Sequence, residues 1–492
     1  MGRTGLLLLV AALVVSLSLL PLSSPALHGV VLGPDGPIAG AVVRHQGTSI
    51  ETRSDPRGRF TLPHLAHDTR VTASRDGFLI GGSSRHGLIR LSPLLEDDDE
   101  AYSWVDPTPD PADASRCGNC HTAMHREWAR GGHARSATGR HFLDLYAGSP
   151  KEGHRSWSLL HEHPDGSGVC ASCHAPSLAA DDPAFYDLRK IRGVAAHGVH
   201  CDFCHKVAGP AGGEVGFAHG RYGLRLSRPH EGQRFFGPLD DVDRGEDVHS
   251  PLMRDSRFCA SCHEGVVFGV HVYSTYSEWQ ASPAGRAGRS CQSCHMKPTG
   301  RMTNIAPGKG GIERNAETLG NHHFWDGSQA AMLRRSLDLR VETKRGSDTE
   351  VTLRLTAKEV GHRVPTGFID RQLILSVEAL DDQGRVVEAL AGPCLPPSVG
   401  RTLAGKVGRL YARQLRDEDG RSPAPFWRSL PEVIDTRLRP EVPDVLRVRL
   451  PEATARIRIQ VRHRRFWEEV RLEKGWESED IVVIDRRIDF AR

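Results

Sequence analysis

Apolar residues are spaced along this chain in four different ways, and each spacing predicts a different kind of structure. Leu6 to Leu20 form an almost unbroken apolar run behind Arg3, too short to favour a spanning helix, and small residues follow it at "SSPA". That order suits an export signal occupying residues 1–26 and cut after Ala26, with an uncleaved N-terminal anchor as the alternative. Residues 27–95 alternate apolar and polar positions around Gly/Pro turns, as in "HGVVLGPDGPIAGAVVRH" and "ETRSDPRGRFTLPHL", which predicts a small β-sandwich. Residues 96–115, "EDDDEAYSWVDPTPDPADAS", have no period; acid and proline make them read as a linker. Residues 116–336 show little regular alternation and predict short helices and loops. From 337 to 492 strand alternation returns in "EVTLRLTA", "QLILSVEAL", "VLRVRL" and "ARIRIQVRH", predicting a second β-sandwich. The expected fold class is therefore multidomain α+β.

Composition sharpens the middle region. The chain has 492 residues, a net charge of +3 and 38% hydrophobic residues, with 51 Gly and 31 Pro. Balanced charge argues against nucleic-acid binding, and no segment after the leader is apolar enough to span a membrane. The apolar content is thin for so long a chain, so something other than side chains is expected to fill part of the interior. An arginine-rich stretch, "LRVRLPEATARIRIQVRHRR", alternates and reads as the solvated face of a strand, or else as a docking patch for an acidic redox partner.

Ten of the 11 cysteines explain what that filler is. They fall in five C-x-x-C-H motifs, at Cys117/Cys120, Cys170/Cys173, Cys201/Cys204, Cys259/Cys262 and Cys291/Cys294. The pattern is the attachment signature of c-type haem: two thiols form thioethers to one porphyrin, and the adjacent histidine ligates its iron. His121, His174, His205, His263 and His295 are then the proximal ligands. Zinc ribbons, thioredoxin-like pairs and disulfides leave the five histidines unexplained. The cofactors expected are five covalent c-type haems, with the module's interior largely porphyrin. First cysteines are 53, 31, 58 and 32 residues apart, which suggests close pairs of motifs 2–3 and 4–5. A lysine follows the later motif of each pair, Lys206 and Lys297. The remaining cysteine, Cys394, reads as a buried inert thiol or a reactive one.

Function turns on the sixth ligand, since an iron with both axial positions filled passes electrons and one with an open position can do chemistry. Candidates are His133 in "EWARGGHARS", His249 ten residues before the fourth motif, His322 beside His323 in "NHHFWDG", and His362 in the turn "GHRVPTGF". His197 and His271 are weaker, His200 adjoins Cys201 too closely to reach another iron, and Met296 reads as packing.

Several stretches carry a resemblance. "GPDGPIAGAVV", "SDPRGRFTL" and "ASRDGFL" resemble the carboxypeptidase regulatory-like (transthyretin-like) domain, a spacer or adhesive module. "CGNCHTAMHREWARGGHARS", "GVHCDFCHKV", "FCASCHEGVVFGVHVYSTYSEWQASP", "NHHFWDG" and "GHRVPTG" together resemble exported multihaem cytochromes c over residues 101–490, including an Ig-like C-terminal part. These are similar to the tetrahaem electron carrier of nitrifying bacteria and, more distantly, to pentahaem nitrite reductase and hydroxylamine oxidoreductase. The resemblance implies mainly bis-histidine haems, with His133, His322 and His362 ligating neighbouring haems. The C-x-x-C-K motif of the nitrite reductases is missing, and nothing marks Tyr273 or Tyr276 for a haem cross-link. The expectation is electron transfer in the periplasm or at the cell surface, with other cytochromes or quinol-linked donors as partners. The alternative is an oxidoreductase acting on a small nitrogen or sulfur compound at one open haem.

Overall fold

The computed structural model describes residues 26–490 except 66–68, 84–86, 150–156, 165–169, 179–185, 325–329, 431 and 478–479. The expected export signal, save Ala26, lies outside them. Helix and strand are mixed, and no helix among the described residues is long and apolar enough to cross a membrane.

The chain forms two compact units. The first contains two four-stranded sheets. One joins Ala26–Gly33 to Gly36–Pro37, Arg59–Pro63 and, in parallel, Leu88–Arg90; the other runs Glu51–Arg53, Val42–His45, Val71–Ser74, Gly81–Ser83. Alternation aims Phe60 and Leu62 inward onto Val31, Val43, Ala73 and Ile89, all buried. This unit also takes in Leu239–His249, a segment placed by sequence in the motif region. Acidic side chains hold it: Asp240 accepts from Arg44 Nε and Nη2 at 3.0 Å each, Asp241 from the Gly47 amide at 2.7 Å, and Asp243 from Arg70 Nε at 2.9 Å.

The second unit comprises Asp97–Pro238 and Ser250–Arg492. The acidic stretch that reads as a linker is docked within it. Asp98 forms a two-pronged pair with the buried Arg228 at 2.6 Å on both arms, Asp97 pairs with Arg234 at 2.5 Å, and Asp106, Asp110 and Asp113 surround Arg116. Asp98 and its partner are 130 residues apart in the chain, which leaves no local signature, so acid and proline alone suggested a tether.

Past residue 336 the strands are antiparallel. Leu337–Arg345, Asp348–Ala357 and Asp444–Pro451 make a three-stranded sheet. A six-stranded sheet runs Glu432–Asp435, Gly408–Arg416, Gln372–Leu380, Arg456–Arg464, Ile481–Asp489, with Val386–Val387 beside Gln372–Leu380. Leu353, Leu355, Leu373, Ile457 and Ile459 fill the space between. These sheets also share apolar clusters with the motif region: Leu145 and Trp157 pack with Ile374, Trp467 and Trp476, and Val270 and Val272 with Ile369 and Leu415. In the alternating stretch Arg458 pairs with Asp485 and the exposed Arg449 with Asp348, whereas Arg464 is buried and pairs with Asp480.

Candidate functional site

Each C-x-x-C-H motif occupies a short helical segment: Cys117–Cys120, Cys170–His174, Cys201–Cys204, Arg257–His263 and Cys291–His295. One turn brings thiols at i and i+3 onto one face, with the histidine next to them. All ten thiols are unbridged, and burial pushes those of Cys170 and Cys204 up to about 12.

Cys294 stands apart from the other motif thiols. It is exposed, whereas Cys117, Cys120, Cys170, Cys173, Cys201, Cys204, Cys259, Cys262 and Cys291 are all half-buried. The fifth motif helix buries none of its residues, and Ser293 and Lys297 on either side of Cys294 are exposed as well. Its sulfur lies 3.7 Å from Arg289 Nη2 and 3.9 Å from Ser293 Oγ, polar neighbours on the same short stretch of chain. With polar residues flanking it, the second half of this turn faces solvent.

Three motif histidines have a fixed tautomer. Nδ1 donates to a backbone carbonyl in His121 (Ile305, 2.9 Å), His174 (Ser136, 2.7 Å) and His205 (Phe236, 2.6 Å). A protonated Nδ1 leaves the lone pair on Nε2, the arrangement in which metal-ligating histidines are held. Burial, with His133 and His295 nearby, lowers His263 to about 3, and burial also lowers His174, His205 and His362. All are thus neutral, the form that binds metal. Phe142 stacks flat on His174, ring centres 3.7 Å apart.

Two motif histidines face a second imidazole. His263 and His133 have ring centres 6.2 Å apart at 61° between planes, and His295 and His362 are also 6.2 Å apart, at 24°. A metal–imidazole bond is about 2 Å and the nitrogen lies about 1.1 Å from its ring centre, so two imidazoles across one ion stand about 6 Å apart. The residues therefore fit an iron bound between each pair. His322, lowered to about 3 by burial, lies in electrostatic reach of His205 and His121, and its amide donates to Glu127 at 2.8 Å. His249 is half-buried and ends the strand Asp247–His249.

Other candidates take structural places. His200 caps the third motif helix, its Nδ1 accepting from the Phe203 amide at 3.3 Å while Nε2 meets Ser177 at 2.8 Å. His271 is exposed beside Glu264 at 3.4 Å, and His197 lies 3.6 Å from Asp106. The Met296 carbonyl accepts from the Asn321 amide at 3.1 Å. Cys394 is exposed, which rules out the buried inert thiol.

Thiols of different motifs approach one another. Cys117 lies beside Cys201, Cys173 beside Cys262 and Cys259 beside Cys291, with Cys204 in reach of Cys262. Motif 4 and motif 5 adjoin. Motif 2 lies against motif 4, and motif 1 against motif 3. Separation along the chain measures how much chain is available, not where it leads.

Sequence reasoning missed two features. Lys206 forms a fully buried ion pair with Asp202 at 2.6 Å; the i, i+4 spacing inside "CDFCHK" was a usable signal. Glu278, in the helix Thr275–Gln280 with its side chain buried, accepts from Ser274 just before that helix and from Arg363, Thr366 and Arg437 of the C-terminal region; nothing local announced it.

Taken together, the chain has the fold of a pentahaem cytochrome c. Among solved structures it is similar to a penta-heme cytochrome c552 from Thermochromatium tepidum, with a TM-score of 0.54 and 22% identity, covering 76% of this chain and 97% of that one. No family model and no curated protein matches. At that identity the likeness is one of fold.

Proposed function

We propose that this protein is an exported multihaem c-type cytochrome that transfers electrons through five covalently held haems, in the periplasm or at the cell surface. The ten motif cysteines would anchor the porphyrins, and His121, His174, His205, His263 and His295 would ligate the irons from one side. His133 and His362 would complete two of these sites, and His322 a third among the His121 and His205 sites. Each haem supplies one-electron iron redox chemistry. The chain's part is to hold the ligands neutral, fix their tautomers and keep the motifs contiguous: 1 beside 3, 3 beside 4, and 2 and 5 beside 4. Redox proteins, other cytochromes or quinol-linked donors, are the partners this reading requires. The 6.2 Å separation of the two facing imidazole pairs carries the reading, because imidazoles on both sides leave no position for substrate.

The test is the mass and the ferrous carbon monoxide spectrum of full-length protein exported from a haem-attaching host. Five macrocycles retained after denaturation, and no CO response from the sites of His263 and His295, are expected. A colourless product sinks the proposal, whereas a full haem complement with CO binding at those two sites leaves the cofactor and removes the six-coordinate carrier.

A further inference from the structure

The loop carrying His362 has no regular structure of its own, yet its histidine stands opposite His295, a residue of the fifth motif. What fixes that stance is the helix Thr275–Gln280, and above all Glu278. The Glu278 side chain is only 7% exposed, and both its oxygens are in use. Oε2 accepts from the Arg363 amide at 3.2 Å and from Thr366 Oγ1 at 2.9 Å, one on each side of the turn that follows His362. Oε1 accepts from Ser274 Oγ at 2.6 Å and from Arg437 Nη2 at 2.6 Å, with Arg413 Nη2 at 3.7 Å. Arg437 reaches on to the Pro365 carbonyl at 3.4 Å and pairs with Asp435 at 2.8 Å. One carboxylate thus joins the helix, the ligand loop and the six-stranded sheet.

The same helix also touches the loop and the start of motif 5. Trp279 Nε1 donates to the Arg289 carbonyl at 2.7 Å, two residues before Cys291. At Gly361, next to His362, a Cβ would lie 3.0 Å from Trp279 Cδ1 and 3.5 Å from Ala284 Cβ, so the loop backbone rests directly on this helix. Thr275 Oγ1 meets Thr366 Oγ1 at 3.0 Å. The distance between His295 and His362 is therefore set through one short helix that is bound to both.

We infer that Glu278 is a positioning residue that holds His362 across from His295, and that releasing it opens the fifth site to a small neutral ligand such as carbon monoxide. This rests on the haem reading above. Without the carboxylate, the loop loses two of its hydrogen bonds to the helix, and two arginines lose a buried counter-charge.

The experiment compares ferrous carbon monoxide titrations of the full-length haem protein as wild type, H362A, E278Q, E278A and the double variant E278Q/H362A. H362A should add about one CO per protein. E278A should add most of one and E278Q a fraction. The double variant should add no more than H362A alone, because both changes open the same site. If H362A opens a site and the Glu278 variants bind no more CO than wild type, Glu278 does not position the ligand, while the haem reading stands. If H362A itself opens nothing, the ligand assignment fails and the inference falls with it. Should neither Glu278 variant accumulate, T366V, which removes only the loop's hydroxyl, decides: partial opening supports the inference, and a wild-type titration overturns it.

Discussion

Asp202 and Lys206 allow the sharpest energetic test. Both side chains have no solvent exposure, and their charges meet at 2.6 Å within one turn of the third motif. Asp202 also accepts from the Tyr102 hydroxyl at 3.1 Å and from the Val105 amide at 2.8 Å, whereas the Lys206 ammonium lies 3.8 Å from the centre of the Phe235 ring and 5.1 Å from that of Tyr102. Removing one member of a buried pair costs about 3–5 kcal/mol, because the other charge stays desolvated. Asp202→Asn leaves the buried Lys206 ammonium without its counter-charge, so its cost belongs within that range. Lys206→Met strands a carboxylate that keeps two donors, each worth about 1–2 kcal/mol, which puts its cost near the lower end.

Removing both charges leaves a neutral amide that still accepts from Tyr102 and Val105 beside a methionine of similar length. The double variant should therefore cost less than Asp202→Asn alone, with a coupling of at least about 2 kcal/mol. Guanidinium unfolding of the haem-loaded protein, followed by circular dichroism, measures all three. Single variants costing under about 1 kcal/mol, or a double variant equal to the sum of the singles, would refute the claim that these charges depend on each other.

Two other outcomes follow from buried groups. Asp370 is 4% exposed; burial pushes its carboxyl up to about 7, opposed only by a hydrogen bond from Trp467. Its folded value exceeds the unfolded one, so the carboxyl penalises the fold increasingly from about pH 4 to pH 7 and by a constant amount above, of order 4 kcal/mol as an upper bound. Asp370→Asn should raise the unfolding midpoint at about pH 8 and leave it unchanged at about pH 4; equal effects at both would refute the assignment. The facing imidazoles differ in angle, 61° for His133/His263 and 24° for His295/His362. On the haem reading, crossed ligand planes leave the iron's π orbitals nearly equal in energy and aligned planes split them. Low-temperature electron paramagnetic resonance should thus show one strongly anisotropic and one rhombic low-spin signal, the first lost in His133→Ala and the second in His362→Ala; loss of the same signal in both variants would contradict the geometry.

The sequence was most legible where chemistry or periodicity is local. Alternation along Asp348–Ala357 predicts a strand, and the structure buries Thr349, Val351, Leu353, Leu355 and Ala357 there. The C-x-x-C-H spacing marked five helical segments before any contact was known. It said nothing of their depth, and Cys294 lies at the surface because polar residues surround it. What stayed hidden depends on residues far apart in the chain. Asp98 looked like part of a solvated linker until Arg228 was found opposite it, and Leu239–His249 gave no sign of joining the first unit. The 31 residues between the first cysteines of motifs 2 and 3 gave no sign that Cys173 would lie beside Cys262 of motif 4. His133 and His362 could be proposed as ligands from their flanking residues, but which motif each would face could not.

The sharing of apolar clusters bears on why the C-terminal sheets belong to the same compact unit as the motifs. The motif helices run from four to seven residues, too short to be stable alone. The cluster nearest the third motif has only Phe203, Val207 and Leu224 fully inside. The six-stranded sheet, by contrast, is closed on one side by a continuous core and on the other by Trp467 and Trp476 packed with Leu145. A ligand that must stay within a few tenths of an ångström of its ion needs a stiff support. The motif region can supply thiols and proximal histidines from single turns, because covalent attachment would hold those in place. A sixth ligand has no such bond, and the structure places one candidate, His362, on a loop that Glu278 and Arg437 hold, the latter just past the strand Glu432–Asp435. On the haem reading, the β region would then be coupled mechanically to ligation at the fifth motif.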